Sequence, residues 1–350
     1  MLSSALIEFT NSIKKLKEHL TSIDCREKIL EYISTQEIPD TIAGDIDHLK
    51  NSRSDEKVFN YNANVISLYG YLERYVENVI IEYIRCINSI ESDFSKLPKK
   101  VQDSYFDLIK SFHGKLSYPK YSHYEEKHLV DSLFHSISEQ NVDLIAEAYF
   151  KNGGNYRYEV IKECIDSLGI KDFNLLYKYP DLNNYFTSKR NIKDIEQTGT
   201  STLFNYLNDL VDRRNDIAHG ESNTDLLNSD IFNDYIEFIE ISVKSINSFL
   251  NDAILEVQWN NNTNITFKPY RSFSDKLVIA VNEQGCCFSK GDKLIAARPH
   301  GCYPRYTYLS INDIQVNQNT ENHYEIKSQE DIVCLNIGMK LSEKWRLKVV

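Results

Sequence analysis

The sequence has seven cysteines, but no two of them form a CxxC pair, and Cys286 and Cys287 are adjacent. That spacing argues against a zinc ribbon, and the odd, scattered count argues against a disulfide framework. Free thiols in a reducing compartment follow, so a cytoplasmic location is expected. No run of about 18 or more apolar residues occurs, so no membrane span is expected. Ser3, Ser4, Glu8, Asn11 and Lys14 interrupt the first stretch too early for a secretory leader. HExxH, GxGxxG and GxSxG are all absent, and Gly153-Gly154 lacks the lysine and spacing of a phosphate loop. Positive charge is also short. The net charge of -11 is not that of a protein that coats nucleic acid, although it leaves room for an enzyme with a local basic cleft.

What is present is helical periodicity, followed by a change of character. Leu6, Phe9, Ile13, Leu16 and Leu20 recur at spacings of three and four, so the first 35 or so residues read as an amphipathic helix or helix pair. Pro39, Gly44 and the polar run 51–54 are expected to break the pattern. A broad apolar stripe then predicts a long helix over about Val58 to Ile90, with Glu73 and Glu77 set among Leu72, Tyr75, Val76 and Val79. Further helical patterns run to Leu168, and a mostly polar stretch with room for a short helix follows. One helix is expected from Thr200 to His219, capped by Thr200, Ser201 or Thr202 and stopped by Gly220. A long closing helix is expected from Ile231 to Ala253.

From Leu255 onward, short β-branched or alternating runs are separated by Gly, Asn, Pro and Asp. Nine candidate strands fit a small sandwich or barrel, the first of them Leu255–Trp259, with Trp259 and Trp345 as packing anchors. Charge divides the same way. Residues 255–350 carry 12 basic and 10 acidic side chains, and the rest of the chain carries 28 and 41. The expected fold class is therefore α+β: an all-α bundle followed by a small all-β module. The segments are a helical extension over 1–50, a helical domain over 51–253 and a β-rich accessory domain over 254–350.

The most informative stretch lies at the end of the helix that Gly220 stops. Arg214 and His219 are separated by four residues, Arg213 and His219 by five, and Asn215 and Asp216 follow the arginines. This stretch resembles the R-x(4–6)-H signature of HEPN proteins, in which a polar residue commonly follows the arginine. The segment Val65–Glu77 is similar to the first long helix of the same families, which include the RiboL-PSP type. The resemblance covers roughly Val58 to Ala253. It implies a metal-independent endoribonuclease with no cofactor, RNA as substrate, and a composite site made by two copies of the chain. It also implies a toxin or phage-defence role, held in check by an antitoxin or an infection-sensing partner. By the same resemblance, Arg214 and His219 would be catalytic, and Asn215, Asp216 and Arg213 supporting.

The residue chemistry is consistent with that reading. An imidazole with an ordinary pKa of roughly 6.5 moves protons near neutral pH. A guanidinium holds two phosphate oxygens and stabilises charge in a pentacoordinate state. Five residues on a helix turn through about 500°, so the two side chains lie about 140° apart. They converge within one chain only if His219 sits at a frayed end. The plainer reading is a solvated arginine and a histidine that caps the helix. Two other classes remain open: an inactive HEPN adaptor with a β docking module, and the HEPN subunit of a nucleotidyltransferase pair. Arg305, Tyr306 and Tyr308 are a further candidate, since Tyr306 and Tyr308 share a strand face and an aromatic-plus-arginine surface can stack bases. The alternative for them is packing beside a turn. His113, His123, His128 and His135 cluster in sequence, and Glu125 with His128 has an ExxH spacing. No second such pair exists, so no metal is expected and a solvated helical face is the favoured reading.

Overall fold

The computed structural model describes residues 2–138, 141–150, 155–220, 226–273, 278–317, 319–328 and 330–350. Helix α1 (Ser4–Ile33) lies antiparallel to helix α2 (Asp40–Ile90). Phe9 meets Tyr75 edge to face near one end, and Arg53 hydrogen-bonds Glu27 and Glu31 near the other. The expected breaks at Gly44 and residues 51–54 do not occur: α2 runs straight through them. The polar run is tolerated because its side chains have partners. Arg53 reaches α1, and Ser52 bonds Glu56 one turn on. A Cβ on Gly44 would meet nothing, so only the modest helix cost of glycine applies there. Residue 50 therefore falls inside a continuous helix.

Shorter elements wrap this hairpin: α3 (Lys99–His113), α4 (Glu126–Ile137), α5 (Tyr158–Ser167), α6 (Pro180–Asn184) and α7 (Thr200–Leu203). Two helices then close the body, α8 (Asn205–Ala218) and α9 (Ser229–Asn261). The single helix expected from Thr200 is divided at Phe204, and neither α7 nor α8 has a side-chain cap at its start. Phe204 explains the division. It is buried and stacks on Tyr158 with ring centroids 4.1 Å apart, and that packing holds the chain out of helical register. One core cluster takes in residues from α1, α2, α8 and α9.

The sequence reading placed a strand at Leu255–Trp259, but α9 continues through it to Asn261. Ile246, Leu250, Ala253, Ile254 and Val257 extend the same three-and-four spacing, so burial along one stripe outweighs the local β-branched look. The β region follows. Its strands are β1 (Arg271–Phe273), β2 (Val278–Val281), β3 (Cys287–Ser289), β4 (Lys293–Ala297), β5 (Tyr306–Ser310), β6 (Asp313–Val316), β7 (Asn319–Glu321), β8 (His323–Glu325), β9 (Val333–Asn336) and β10 (Arg346–Val349). They form antiparallel sheets in the orders β1-β2-β9-β6-β7 and β10-β4-β5, with β3 and β8 as a separate ribbon. Phe267, Phe288, Leu294, Ile314, Leu335 and Leu347 belong to their common core.

The two regions meet at the second half of α9. Asp252 is 1% exposed; it accepts the backbone N–H groups of Arg305 and Tyr306 at 2.6 and 2.8 Å and the Tyr179 hydroxyl at 2.7 Å. Lys348 donates to the carbonyls of Trp259 and Asn262, so the last strand caps the end of α9.

Candidate active site

Helix α8 turns both arginines of the motif toward α2 but gives them different surroundings. The Arg213 side chain is only 13% exposed. Its Nε donates to Asp209 at 2.6 Å and one terminal nitrogen donates to the Tyr61 hydroxyl at 2.9 Å. Asp209 also accepts the Tyr235 hydroxyl at 2.5 Å. Burial opposes the Arg213 charge, but these hydrogen bonds outweigh it and raise its pKa. Arg213 is a fixed part of the α2–α8–α9 packing.

Arg214 is half-buried and makes no ion pair with any described residue. Its guanidinium lies 5.0 Å from the centre of the Tyr69 ring, and one nitrogen donates to the Asn215 side chain at 3.0 Å. Tyr69 is 1% exposed, so the ring is a fixed platform under the guanidinium. Its hydroxyl accepts the backbone N–H of Tyr156 at 3.3 Å. Several guanidinium donors are left for an incoming group.

Glu73, one turn along α2 from Tyr69, shares this neighbourhood. Burial and the nearby Glu77 push its carboxyl above the ordinary value, against the pull of Arg214 and Lys120. Burial likewise raises the Tyr69 phenol, with Glu73 adding to the effect and Arg214 opposing it. Glu77 is held by Lys120, whose ammonium lies 2.6 Å from both carboxylate oxygens. Sequence reasoning did not single out Tyr69, Glu73 or Lys120 as site residues. The available signal was a carboxylate inside the apolar stripe of α2.

His219 ends α8. Its backbone N–H still bonds the Asn215 carbonyl at 2.9 Å, and Gly220 follows with φ +74°, the left-handed turn expected of it. The imidazole is exposed and has no hydrogen bond to a described residue. Within one chain the fold brings Arg214, Asn215, Tyr69 and Glu73 together, and the His219 imidazole, at the helix end, makes no hydrogen bond with any of them. Asp216 is half-buried on the same helix.

The other sequence candidates lie elsewhere. Arg305 and Tyr306 are seam residues: Arg305 bonds Glu256 at 3.0 Å, and Tyr306 lies beside Trp259. Asp252, which anchors them, lies about 25 Å of helix rise along α9 from Tyr235. Tyr308 is half-buried and pairs with Ile295 across the sheet. Arg305 and Tyr306 thus take part in packing, one of the two readings the sequence left open for these three residues. His113 pairs with Glu126, and His128 accepts the N–H of Glu125 in a capping box. No group of three or more His, Cys, Asp or Glu among the described residues could hold a metal ion. No helix among them is long and apolar enough to cross a membrane. Gly153-Gly154 lies outside the described residues.

Comparison with known proteins gives one family. The model of the family described as RiboL-PSP-HEPN matches residues 10–252, which brings α1 inside a match that the sequence reading began at Val58. No curated protein matches the chain. Among solved structures, the C-terminal domain of a U32-type peptidase from Geobacillus thermoleovorans aligns with 25% of this chain and 92% of its own, at 12% identity and a TM-score of 0.21. That likeness is too weak to bear on the fold.

Proposed function

Because the chain belongs to the RiboL-PSP-HEPN family, we propose that it is a metal-independent endoribonuclease in which Arg214 and His219 act across a dimer of two identical chains. The observation that carries this reading is the contrast between the two arginines. Arg213 is tied into the packing, whereas Arg214 is seated on a buried ring with donors to spare. In the reaction, the RNA 2′-hydroxyl loses its proton and attacks the adjacent phosphorus. The O2′–P bond forms, the P–O5′ bond breaks, and the 5′-oxygen takes up a proton. Arg214 binds the phosphate oxygens and neutralises the charge that builds on them. One imidazole supplies one of the two proton transfers, and the second copy's His219 supplies the other.

The surface beside the motif supports a second copy as the partner. Phe59 and Ile66 lie seven residues apart on α2, 73% and 47% exposed, on the face that continues to Glu73. Two exposed apolar side chains two turns apart on one helix face suit an isologous contact. The β region is the place for control by an antitoxin or infection-sensing partner, or for target choice. Removing residues 263–350 should change regulation or target choice, and identical behaviour without them would remove that role.

The test is incubation of purified protein with total RNA in EDTA. Cleavage with 2′,3′-cyclic phosphate ends is expected, DNA should remain whole, and Ile66→Arg should reduce both dimer and activity. Metal-dependent cleavage, or full activity in His219→Ala, would sink the mechanism. A second reading, a HEPN adaptor without catalysis, draws on one observation: the exposed His219 imidazole makes no hydrogen bond to Arg214 or any other described residue within the single chain. It gains if the wild type leaves RNA intact.

A further inference from the structure

A cavity of about 400 Å³ opens beside the motif, between α1, α2 and the start of α9. Its size is that of a small-molecule site. Its walls include the rings of Tyr61 and Phe232 and the side chains of Leu20, Ile23 and Leu226. Asn64 also lines it. That side chain is 6% exposed and has no hydrogen bond to any described residue. Its amide opens onto the cavity, so whatever fills the cavity meets its donor and acceptor. The amide offers one donor and one acceptor side by side, the pattern that pairs with a nucleobase edge.

The cavity is joined to the motif by a direct bond, since the Tyr61 hydroxyl on its wall accepts from Arg213. Asn64 precedes Tyr69 by five residues on α2, about 7–8 Å of rise. Those five residues also turn through about 500°, so Asn64 and Tyr69 face about 140° apart, and the cavity lies around the helix from Arg214 on the Arg213 side. The charges at its edge select what enters. Arg26 is already paired with Glu56, and Lys57 and Arg53 with Glu27, so no rim cation is spare and Asp24 is the carboxylate with no ion pair to a described residue. A phosphate is disfavoured there. A base with an exocyclic amino group is favoured, because carboxylates and the amide oxygen both accept from it.

We propose that this cavity is a base-recognition slot for the nucleotide flanking the cut, and that it takes a base with an exocyclic amino group in preference to uracil, with Asn64 reading the base edge between Tyr61 and Phe232. The proposal rests on the ribonuclease reading. Its test therefore has one arm that needs cleavage and one that does not.

In the first arm, the ends left by the wild type, Asn64→Leu and the rim variant Asn60→Leu are mapped on a random-sequence RNA, with circular dichroism confirming each fold. The wild type should disfavour U at one position beside the cut, and Asn64→Leu should lower that discrimination by about ten- to a hundredfold. Asn60→Leu should lower it less. In the second arm, binding of adenosine, cytidine and uridine monophosphates to the wild type and to Asn64→Leu is measured by ligand-observed NMR. The wild type should bind the first two more tightly than the third, and Asn64→Leu should lose the difference. Cleavage with no base preference, or a preference unchanged in folded Asn64→Leu, overturns the slot while leaving the ribonuclease reading intact. If the wild type cleaves nothing, the ribonuclease reading falls, and equal or absent binding of the three monophosphates then overturns the slot as well. Occupation of the cavity by a peptide of a copurifying protein would also overturn it.

Discussion

The helical body and the β region fill their cores with different chemistry. In the body, Tyr69, Tyr75, Tyr105, Tyr149, Tyr156 and Tyr179 are among the largest fully buried side chains. Among the described residues of the β region, Phe267 and Phe288 take that place, alongside Leu, Ile and Val. A buried tyrosine brings a hydroxyl that fixes a polar group wherever it finds a partner, although those of Tyr149, Tyr156 and Tyr158 find none among the described residues. Tyr75 donates to the Val243 carbonyl at 3.0 Å, Tyr179 meets Asp252, Tyr61 meets Arg213, and Tyr235 meets Asp209. Tyr69 lies under Arg214. The apolar β core imposes no such constraints. Charges in the body are thus held in place by aromatic side chains, and the proposed chemistry lies there, whereas the β region is joined through a few bonds at one seam.

The strongest break in this comparison is at the motif. Arg214→Ala and His219→Ala should each lower RNA cleavage by roughly 10² to 10⁴-fold. Neither side chain fills the core, so stability should fall by no more than about 1–2 kcal/mol, readable by thermal melting. An equal loss of fold and activity would mean that Arg214 belongs to the packing, as Arg213 does.

Next in size is the seam. Asp252→Ala strands two backbone N–H groups and the Tyr179 hydroxyl, so denaturant unfolding should show a loss of about 3 kcal/mol or more. Truncating Phe59, exposed on the body, should cost far less. A small effect at Asp252 would mean that the two regions are joined by apolar contact instead.

Arg213→Ala comes third. It removes charge-assisted bonds to Asp209 and Tyr61, each worth about 1.5–3 kcal/mol with a charged partner. Stability should fall measurably, while cleavage chemistry persists and phosphate binding weakens at most. A ribonuclease assay beside a melting curve separates it from Arg214, and loss of chemistry without loss of stability would reverse the two roles.

The smallest effect is pH dependence at the seam. Burial raises the Asp252 carboxyl above its ordinary value, against the hydrogen bonds from Arg305, Tyr179 and Tyr306. A carboxyl whose folded pKa is raised favours the folded state below its unfolded pKa, and that contribution is lost as pH rises through the folded value. The stability of the wild type relative to Asp252→Asn should therefore be greater at about pH 3 than at about pH 7. A difference that stays flat across that range would show a carboxyl that keeps its ordinary pKa when folded.

The local pattern determined a good deal of this protein by itself. Apolar spacing placed the long helices, alternation placed β6 at Asp313–Val316, and Gly220 marked the end of α8, because each signal acts within a few residues. The motif was legible for the same reason: Arg214, Asn215 and His219 are close in sequence. Local signals misplaced the breaks in α2 and the end of α9, where partners far along the chain compensate. Arg53 finds Glu27 and Glu31 on α1, and Ile254 and Val257 find the bundle instead of a sheet. Tertiary structure alone decided which arginine is free, because the choice depends on Tyr61, Asp209 and Tyr69, and Tyr61 and Tyr69 lie about 150 residues away in the chain. It also turned Arg305 and Tyr306 into seam residues and left Asn64 facing a cavity. Those outcomes depend on which surfaces meet when helices pack, and spacing along one element does not encode its neighbour.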